Sequence, residues 1–226
     1  TDHARWDFDG TGADQYPLLP HFPYFDLYRK QVTKQADLVL AMVLRSDAFT
    51  PVQKRRNFDY YERITVRDSS LSAGTEAVAA ADAGHLRLAL DYAAEAALMD
   101  LEDVEHNARD GLHVASLGGA WIAFVTGLGG MRDHGEILEF APRLPDGLTR
   151  LSFALRYRGH CLHVDATTHE ATYSLRRGAG PLRIAHHGEV LTLTGTNPVV
   201  RPIPPAPQRE PPVQPPGREP ERRSPG

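Results

Sequence analysis

Three polar segments of this sequence carry residue types that bind sugar hydroxyls or phosphate. The first is Lys34-Gln35-Ala36-Asp37, which borders apolar residues at helical spacing. A Lys ammonium donates hydrogen bonds to hydroxyls, and a Gln amide both donates and accepts them. Periodicity alone also allows a simpler interpretation, in which these residues form the solvent face of a helix.

The second segment, from Asn57 to Ser72, places aromatic residues beside an acid. Phe58, Tyr60 and Tyr61 adjoin Glu62. Aromatic rings can stack on a sugar ring while a carboxylate binds its hydroxyls. The structural alternative is a loop that packs the rings into the core while Glu62 pairs with an Arg.

The same segment continues to Ser69 and Ser70, which precede a predicted helix. The start of a helix offers free N–H groups and a positive dipole end, so it suits an anion such as phosphate, and Arg67 is close by in sequence. Alternatively, the two serines only cap the helix.

The third segment, Gly111 to Trp121, combines small residues with His113 and Ser116. Small residues let a backbone approach a ligand or another helix closely. An imidazole N–H at the start of a helix can donate to phosphate, although a single His there can equally be structural.

Other chemistries are disfavoured. His160, Cys161 and His163 are close together, but His160 points to the opposite face of a strand and no set of four zinc ligands emerges. The single Cys excludes an internal disulfide and indicates a reducing compartment. A net charge of -4 disfavours nucleic acid, and no apolar run suits a membrane. We therefore expect a cytoplasmic protein without a metal or organic cofactor.

The elements that must position these segments fall into three regions. Helical spacing predicts helices over about 25–44, 71–83 (capped by Asp68, Ser69 or Ser70 and ended by Gly84), 86–101 and from 112 onward. After Arg132, alternation and turn residues predict strands near 149–157, 161–166, 171–176, 182–186 and 189–194. Helices followed by strands indicate separate domains of an α+β protein, with an antiparallel sheet or sandwich second. From 201 onward, Pro and charged residues predict a disordered tail. The predicted units are 1–132, 133–200 and 201–226.

Taken in order, the segments resemble the C-terminal region of glycoside hydrolase family 65, which includes maltose, trehalose and kojibiose phosphorylases. The resemblance covers roughly residues 15–160 and extends loosely to about 200. It rests on the stretches Lys30-Gln31-Val32-Thr33-Lys34-Gln35-Ala36-Asp37, Asn57-Phe58-Asp59-Tyr60-Tyr61-Glu62, Thr65-Val66-Arg67-Asp68-Ser69-Ser70-Leu71-Ser72, Gly111-Leu112-His113-Val114-Ala115-Ser116 and Gly129-Gly130-Met131-Arg132.

This resemblance implies the last helices of an (α/α)6 barrel followed by a small β domain. It implies cleavage of a disaccharide α-glucoside with inversion, in which phosphate attacks the anomeric carbon and inorganic phosphate is the co-substrate. Partners would be the sugar, phosphate, the remainder of the catalytic barrel and a second copy in a homodimer. The matching substrate-binding residues are Lys34, Gln35 and Glu62, and the matching phosphate-binding residues are Ser69, Ser70, His113 and Ser116.

This sequence lacks the motif that contains the family's general-acid residue. The general-acid Glu belongs to a Gly-Pro-Asp-Glu-Tyr type of motif upstream of Lys34, which is absent here, so this chain should be inactive alone. Arg67 also stands where many phosphorylases have His. Two alternatives stay open: an α-glucosidase or trehalase-type hydrolase of the same family, and a non-catalytic carbohydrate-binding or structural module.

Overall fold

The computed structural model describes residues 3–104, 106, 108–207 and 209–222 of the chain. Its helical part is built from α1 (Tyr24–Tyr28), α2 (Asp37–Leu44), α3 (Pro51–Glu62), α4 (Ser72–Ala83), α5 (Leu86–Leu98) and α6 (Val114–Ile122), which continues as a π-helical turn over Ala123–Leu128. Two short strands, β1 (Ala4–Arg5) and β2 (Lys30–Gln31), pair in parallel beside them. No helix in the described part of the chain is both long and apolar enough to cross a bilayer.

Helix α4 lies at the centre of the helical part. Nine of its twelve residues are buried, and it contacts α2, α3, α5 and α6. Its Ala-rich sequence allows such close packing on all sides. Around it the core contains Val39, Met42, Phe58 and Tyr92, so α4 positions the side chains that surround it.

Three helix predictions need correction. The single helix predicted over 25–44 is two helices separated by the extended residues Lys30–Gln31. Residues 57–62, for which a loop was one of the interpretations above, belong to α3, which spans 51–62 and was not predicted. That helix begins with a capping box, in which the Thr50 hydroxyl accepts from the Gln53 N–H and the Gln53 side chain accepts from the Thr50 N–H at 2.9 Å.

The third correction concerns the start of α4. Leu71 is its N-cap residue and provides no side-chain bond, whereas the Ser69 hydroxyl, one of the predicted capping groups, accepts from the Leu71 N–H at 3.4 Å, just before the helix. The helix ends as predicted at Gly84, which adopts a left-handed conformation with φ 93°.

The strands form two sheets that share one apolar core. One sheet has the order β3 (Leu138–Phe140), β7 (Leu182–His186), β8 (Glu189–Leu193), with β3 parallel to β7. The other has the antiparallel order β4 (Arg150–Tyr157), β5 (His160–Thr167), β6 (Glu170–Arg177), β9 (Val199–Pro202). The predicted strands all exist, and β3 and β9 were not predicted. Phe140 and Tyr173, both fully buried, meet between the sheets.

Residues 209–222 do not fit the disorder predicted from 201 onward. They lie extended against the helical part, where Gln214 and Arg218 form hydrogen bonds with residues about 150 positions earlier in the chain. Proline lowers the entropy lost on ordering, and a few buried polar contacts then suffice to hold the segment. Residues 201 and 202 belong to β9, whereas 208 and 223–226 of the predicted tail lie outside the described residues. We call residues 209–222 the C-terminal strap.

Candidate functional site

The Lys34 segment is joined to the chain that follows α3 by a short parallel ladder. The Thr33 N–H donates to Ile64 O at 2.7 Å, the Val66 N–H to Thr33 O at 2.9 Å and the Asp68 N–H to Lys34 O at 2.9 Å. This ladder brings Lys34 next to the chain between Glu62 and Ser69. Two of the sequence motifs are thereby brought together in space.

Within this region, Lys34 is exposed and its charge acts on Asp68. Burial raises the pKa of Asp68, while a bond from the Leu18 N–H and the charges of Arg218 and Lys34 oppose that rise. Gln35 is half-buried and uses its side-chain amide on Asp37 Oδ1 at 2.8 Å.

Glu62, the last residue of α3, is buried to 2% exposure. Its Oε1 accepts hydrogen bonds from the Tyr92 hydroxyl and from Gln214 Nε2, the latter at 2.7 Å. Its Oε2 has no donor among the described residues. Burial raises the pKa of Glu62, and the bond from Tyr92 partly offsets the rise.

Beside Glu62 lies Glu76, a residue of α4 with 0% exposure. Neither of its carboxyl oxygens meets a donor in the described part of the chain. Burial, and next the charge of Glu62, hold the pKa of Glu76 well above its ordinary value. The burial of Tyr92 and the charge of Glu62 likewise raise the pKa of that phenol.

Arg67 provides the positive charge of this buried cluster. Its Nη1 donates to Glu95 Oε1 at 2.5 Å, and its guanidinium lies 4.8 Å from the centre of the Tyr92 ring. It also donates to the backbone oxygen of Arg218 in the strap. At 7% exposure, Arg67 serves these partners and does not face the solvent beside Ser69 and Ser70, where sequence proximity suggested help for phosphate.

The strap crosses this cluster. Gln214 Nε2 reaches Glu62 Oε1 and the Tyr92 hydroxyl, the second at 2.8 Å. Four residues later, Arg218 donates to Val66 O at 2.6 Å and to Asp68 Oδ1 at 3.0 Å. Two side chains of the strap therefore occupy acceptors next to the Lys34 ladder.

The residues predicted to bind phosphate fall into two groups. Ser69 and Ser70 are half-buried in the loop that leads into α4. His113 and Ser116 lie at the start of α6. Helices α4 and α6 run side by side, because Gly74 approaches Gly119 and Gly127 approaches Val78. Both helix starts are therefore at the same end of the helical part.

Contacts within the second group limit what it can bind. His113 Nδ1 donates to Asp100 Oδ1 at 2.5 Å, so a ligand could meet only the Nε2 side of this ring. The Ser116 hydroxyl donates to Ala96 O at 3.2 Å and is buried at 2% exposure. Gly119 of this segment lies against Gly74 and so serves the packing of α6 on α4, one of the two interpretations given above.

Sequence reasoning did not find Glu76, Tyr92 or the strap residues. Glu76 was detectable in principle, because it interrupts the apolar stripe of α4 formed by Ala73, Ala77 and Ala80. A charged residue on a buried helix face needs a partner or a proton. Gln214 gave no such signal, because a polar residue among prolines is ordinary.

Comparison of the sequence with protein families identifies the family to which this fold belongs. The model of the glycosyl hydrolase family 65 central catalytic domain matches residues 1–122, and that of the family's C-terminal domain matches residues 131–193. The chain belongs to glycosyl hydrolase family 65.

Its relatives include phosphorylases. The chain is 56% identical to an uncharacterized glycosyl hydrolase of Mycobacterium leprae, over 97% of this chain and 28% of that protein. It is 41% identical to the α,α-trehalose phosphorylase of Thermoanaerobacter brockii, over 84% of this chain and 24% of the enzyme. A solved structure provisionally described as a kojibiose phosphorylase from the human microbiome superposes with a TM-score of 0.82 at 25% identity, over 89% of this chain and 28% of that one. The chain thus spans about a quarter of the length of the relatives it matches.

These similarities agree with a partial (α/α)6 barrel followed by a β domain. The match to the Mycobacterium leprae protein covers 97% of this chain and therefore includes the region around Gln214.

Proposed function

We propose that this chain is the C-terminal part of an inverting α-glucoside phosphorylase, in which it binds the glucosyl unit and phosphate while the general acid is supplied from outside this chain. The glucosyl hydroxyls bind to Lys34, Gln35 and Glu62. Phosphate binds near Ser69, Ser70, His113 and Ser116. The chain alone has no turnover.

The ladder between the Lys34 segment and residues 64–68 is the observation that carries this proposal. It supports a single binding region in which an exposed ammonium group lies next to the chain between a carboxylate and two serines. A donor and an acceptor around one space are what a sugar ring with several hydroxyls requires.

A glucosyl hydroxyl at Glu62 would take the place of the Gln214 amide. That amide donates to Glu62 Oε1 as a sugar hydroxyl would, and the carboxylate is otherwise buried. Sugar binding at Glu62 therefore requires the strap to move away locally. The cost is modest, because a few hydrogen bonds are exchanged for similar ones.

Phosphate binding rests on fewer groups than in a phosphorylase with His at position 67. Arg67 is engaged by Glu95 and Tyr92, so the proposal relies on the exposed side of His113 and on Ser69 and Ser70 at the start of α4. Leu71 offers no capping side chain at that helix start, although the Leu71 and Ser72 N–H groups bond to Ser69, so the positive end of the helix dipole is what favours an anion there.

The test is expression of the full-length reading frame that carries this chain, followed by assays with maltose, trehalose and kojibiose, each with and without phosphate. Phosphorolysis with inversion yields β-glucose 1-phosphate only when phosphate is present. Glucose released equally without phosphate would instead identify a hydrolase. Absence of both products with all three sugars would contradict a disaccharide phosphorylase acting on them.

A matched pair of variants tests the assignment of Lys34. We expect Lys34→Ala to lower kcat/KM by about tenfold to a hundredfold, because a charge-assisted hydrogen bond to the sugar is lost. Lys30→Ala removes a similar exposed ammonium group four residues earlier and should leave kcat/KM within about twofold. Equal effects of the two substitutions on kcat/KM would show that Lys34 is not part of the sugar site.

A further inference from the structure

Within residues 3–222 as the structure describes them, three buried carboxylate oxygens lack a hydrogen-bond donor. They are Oε2 of Glu62 and both oxygens of Glu76. An ionised carboxylate buried without donors is strongly unfavourable, and such groups gain a proton instead. The two residues lie within hydrogen-bonding reach of each other, so one proton can serve both.

The charges around the pair decide how many protons it holds. Arg67 is the cation that acts on both carboxyl groups, and Glu95 already binds its guanidinium. The other ionisable group is the Tyr92 phenol, which donates to Glu62. Helix α6 and its π-helical continuation contain no ionisable residue. Two further negative charges beside one paired guanidinium would be uncompensated, so one of the two carboxyl groups must be neutral.

The surroundings also decide where the proton is. Glu62 accepts from Tyr92 and Gln214, and these bonds stabilise its ionised form. Glu76 receives no bond from a donor among the described residues and is fully buried. The proton therefore belongs on Glu76, which then donates to Glu62 Oε2.

We infer that Glu76 is a neutral carboxylic acid that donates its proton in a hydrogen bond to Glu62 and so fixes the orientation of the Glu62 carboxylate. Resting on the function proposed above, this makes Glu76 a positioning residue for sugar binding. With donors at both oxygens, the Glu62 carboxylate is held in one orientation. One acceptor position at Oε1 is then available to a sugar hydroxyl, and Gln214 occupies it when no sugar is bound.

Two substitutions separate this role from packing. Glu76→Gln keeps a donor, because its amide N–H can still bond Glu62, whereas Glu76→Met fills a similar volume without one. We expect Glu76→Gln to keep the sugar KM within about threefold and Glu76→Met to raise it about tenfold or more. The kcat/KM of the wild type should also fall at alkaline pH as Glu76 loses its proton, and this fall should be absent in Glu76→Gln.

Infrared difference spectroscopy tests the proton without any sugar. The full-length wild-type protein at about pH 7 should show the C=O stretch of a protonated carboxyl group that is missing from Glu76→Gln. Absence of this band overturns the inference, as does a Glu76→Met variant that binds sugar as well as the wild type. If the band is present but no disaccharide is turned over, the proposed function fails while the shared proton stands.

Discussion

Gln214 donates its side-chain amide to Glu62 Oε1 at 2.7 Å across 152 positions of sequence. The same amide reaches the Tyr92 hydroxyl, which itself donates to Glu62. A residue of the Pro-rich strap is therefore part of the hydrogen-bond network around the carboxylate proposed to bind sugar. Under the proposed function, the sugar and the strap would compete for this one acceptor.

We expect Gln214→Ala to lower the KM for the disaccharide about threefold to tenfold, because the competing amide is removed. Steady-state kinetics of the full-length enzyme measure this change. Val213→Ala is the matched control, since Val213 is 60% exposed on the same strap and should leave KM unchanged. A higher KM in Gln214→Ala would mean that the strap helps to bind the sugar.

Arg67→Lys should destabilise the protein by roughly 2 kcal/mol, because a Lys ammonium cannot bond Glu95 and the Arg218 carbonyl with the same geometry while stacking on Tyr92. Urea unfolding measures the loss. The exposed Arg63 provides the control, and Arg63→Lys should change the free energy of unfolding by less than about 0.5 kcal/mol. Equal stabilities of the two variants would contradict the account of Arg67.

Gly74→Ala should destabilise the packing of α4 on α6. A Cβ atom at position 74 would lie 2.9 Å from the Gly119 Cα, which is backbone and cannot turn aside. We expect a loss of about 1–3 kcal/mol in chemical denaturation. In contrast, a Cβ at Gly118 on α6 meets nothing within 4 Å, so Gly118→Ala should stabilise by about 0.5–1 kcal/mol through helix propensity. The packing therefore predicts that the two substitutions change the free energy of unfolding in opposite directions.

His187 should make the protein less stable in acid. Its burial, and then the charges of His186 and Arg143, lower its pKa from 6.5 to about 4. The unfolded chain takes up a proton below about pH 6.5 that the folded protein refuses until about pH 4, so this contribution to stability falls as the pH drops through that window.

The substitution that tests this is His187→Asn, because Asn tolerates the left-handed backbone that His187 adopts at φ 46° before Gly188. Between about pH 7 and pH 4, the melting temperature of the wild type should fall more steeply than that of the variant. Parallel curves over the whole range would assign the acid sensitivity to other groups.

Local rules predicted most of the β domain and only part of the helices. Alternating residues and turn signals found β4 to β8. Burial alternates along β4, β5 and most of β6, whereas β7 is buried at four of its five residues. Helix α3 was missed although Thr50, Pro51 and Gln53 form a recognisable helix start, because its aromatic residues were interpreted either as groups that stack on a sugar or as part of a loop packed into the core. The break between α1 and α2 depends on the pairing of β2 with β1 and has no local signal.

The candidate site was predictable where one motif carries it and unpredictable where distant segments meet. Glu62 and Lys34 belong to recognisable motifs. The partnership of Glu62 with Glu76 depends on how α3 packs against α4, and that with Gln214 depends on the path of the strap. Neither follows from spacing along the chain. The predicted disorder of the strap failed because composition measures average apolar content and not single well-placed polar contacts.

The strap contacts join residues far apart in the sequence, so we expect them to form late in folding. Helices α4 and α5 adjoin in sequence and can pair early, whereas the contacts of Gln214 and Arg218 close loops of about 150 residues. We therefore expect the buried carboxyl groups of Glu62 and Glu76 to be covered by the strap late in folding, after the helices and the two sheets have formed. We expect a polypeptide interrupted before residue 214 to assemble both units yet leave Glu62 Oε1 without one of its two donors, which proteolysis or hydrogen exchange at α3 would reveal.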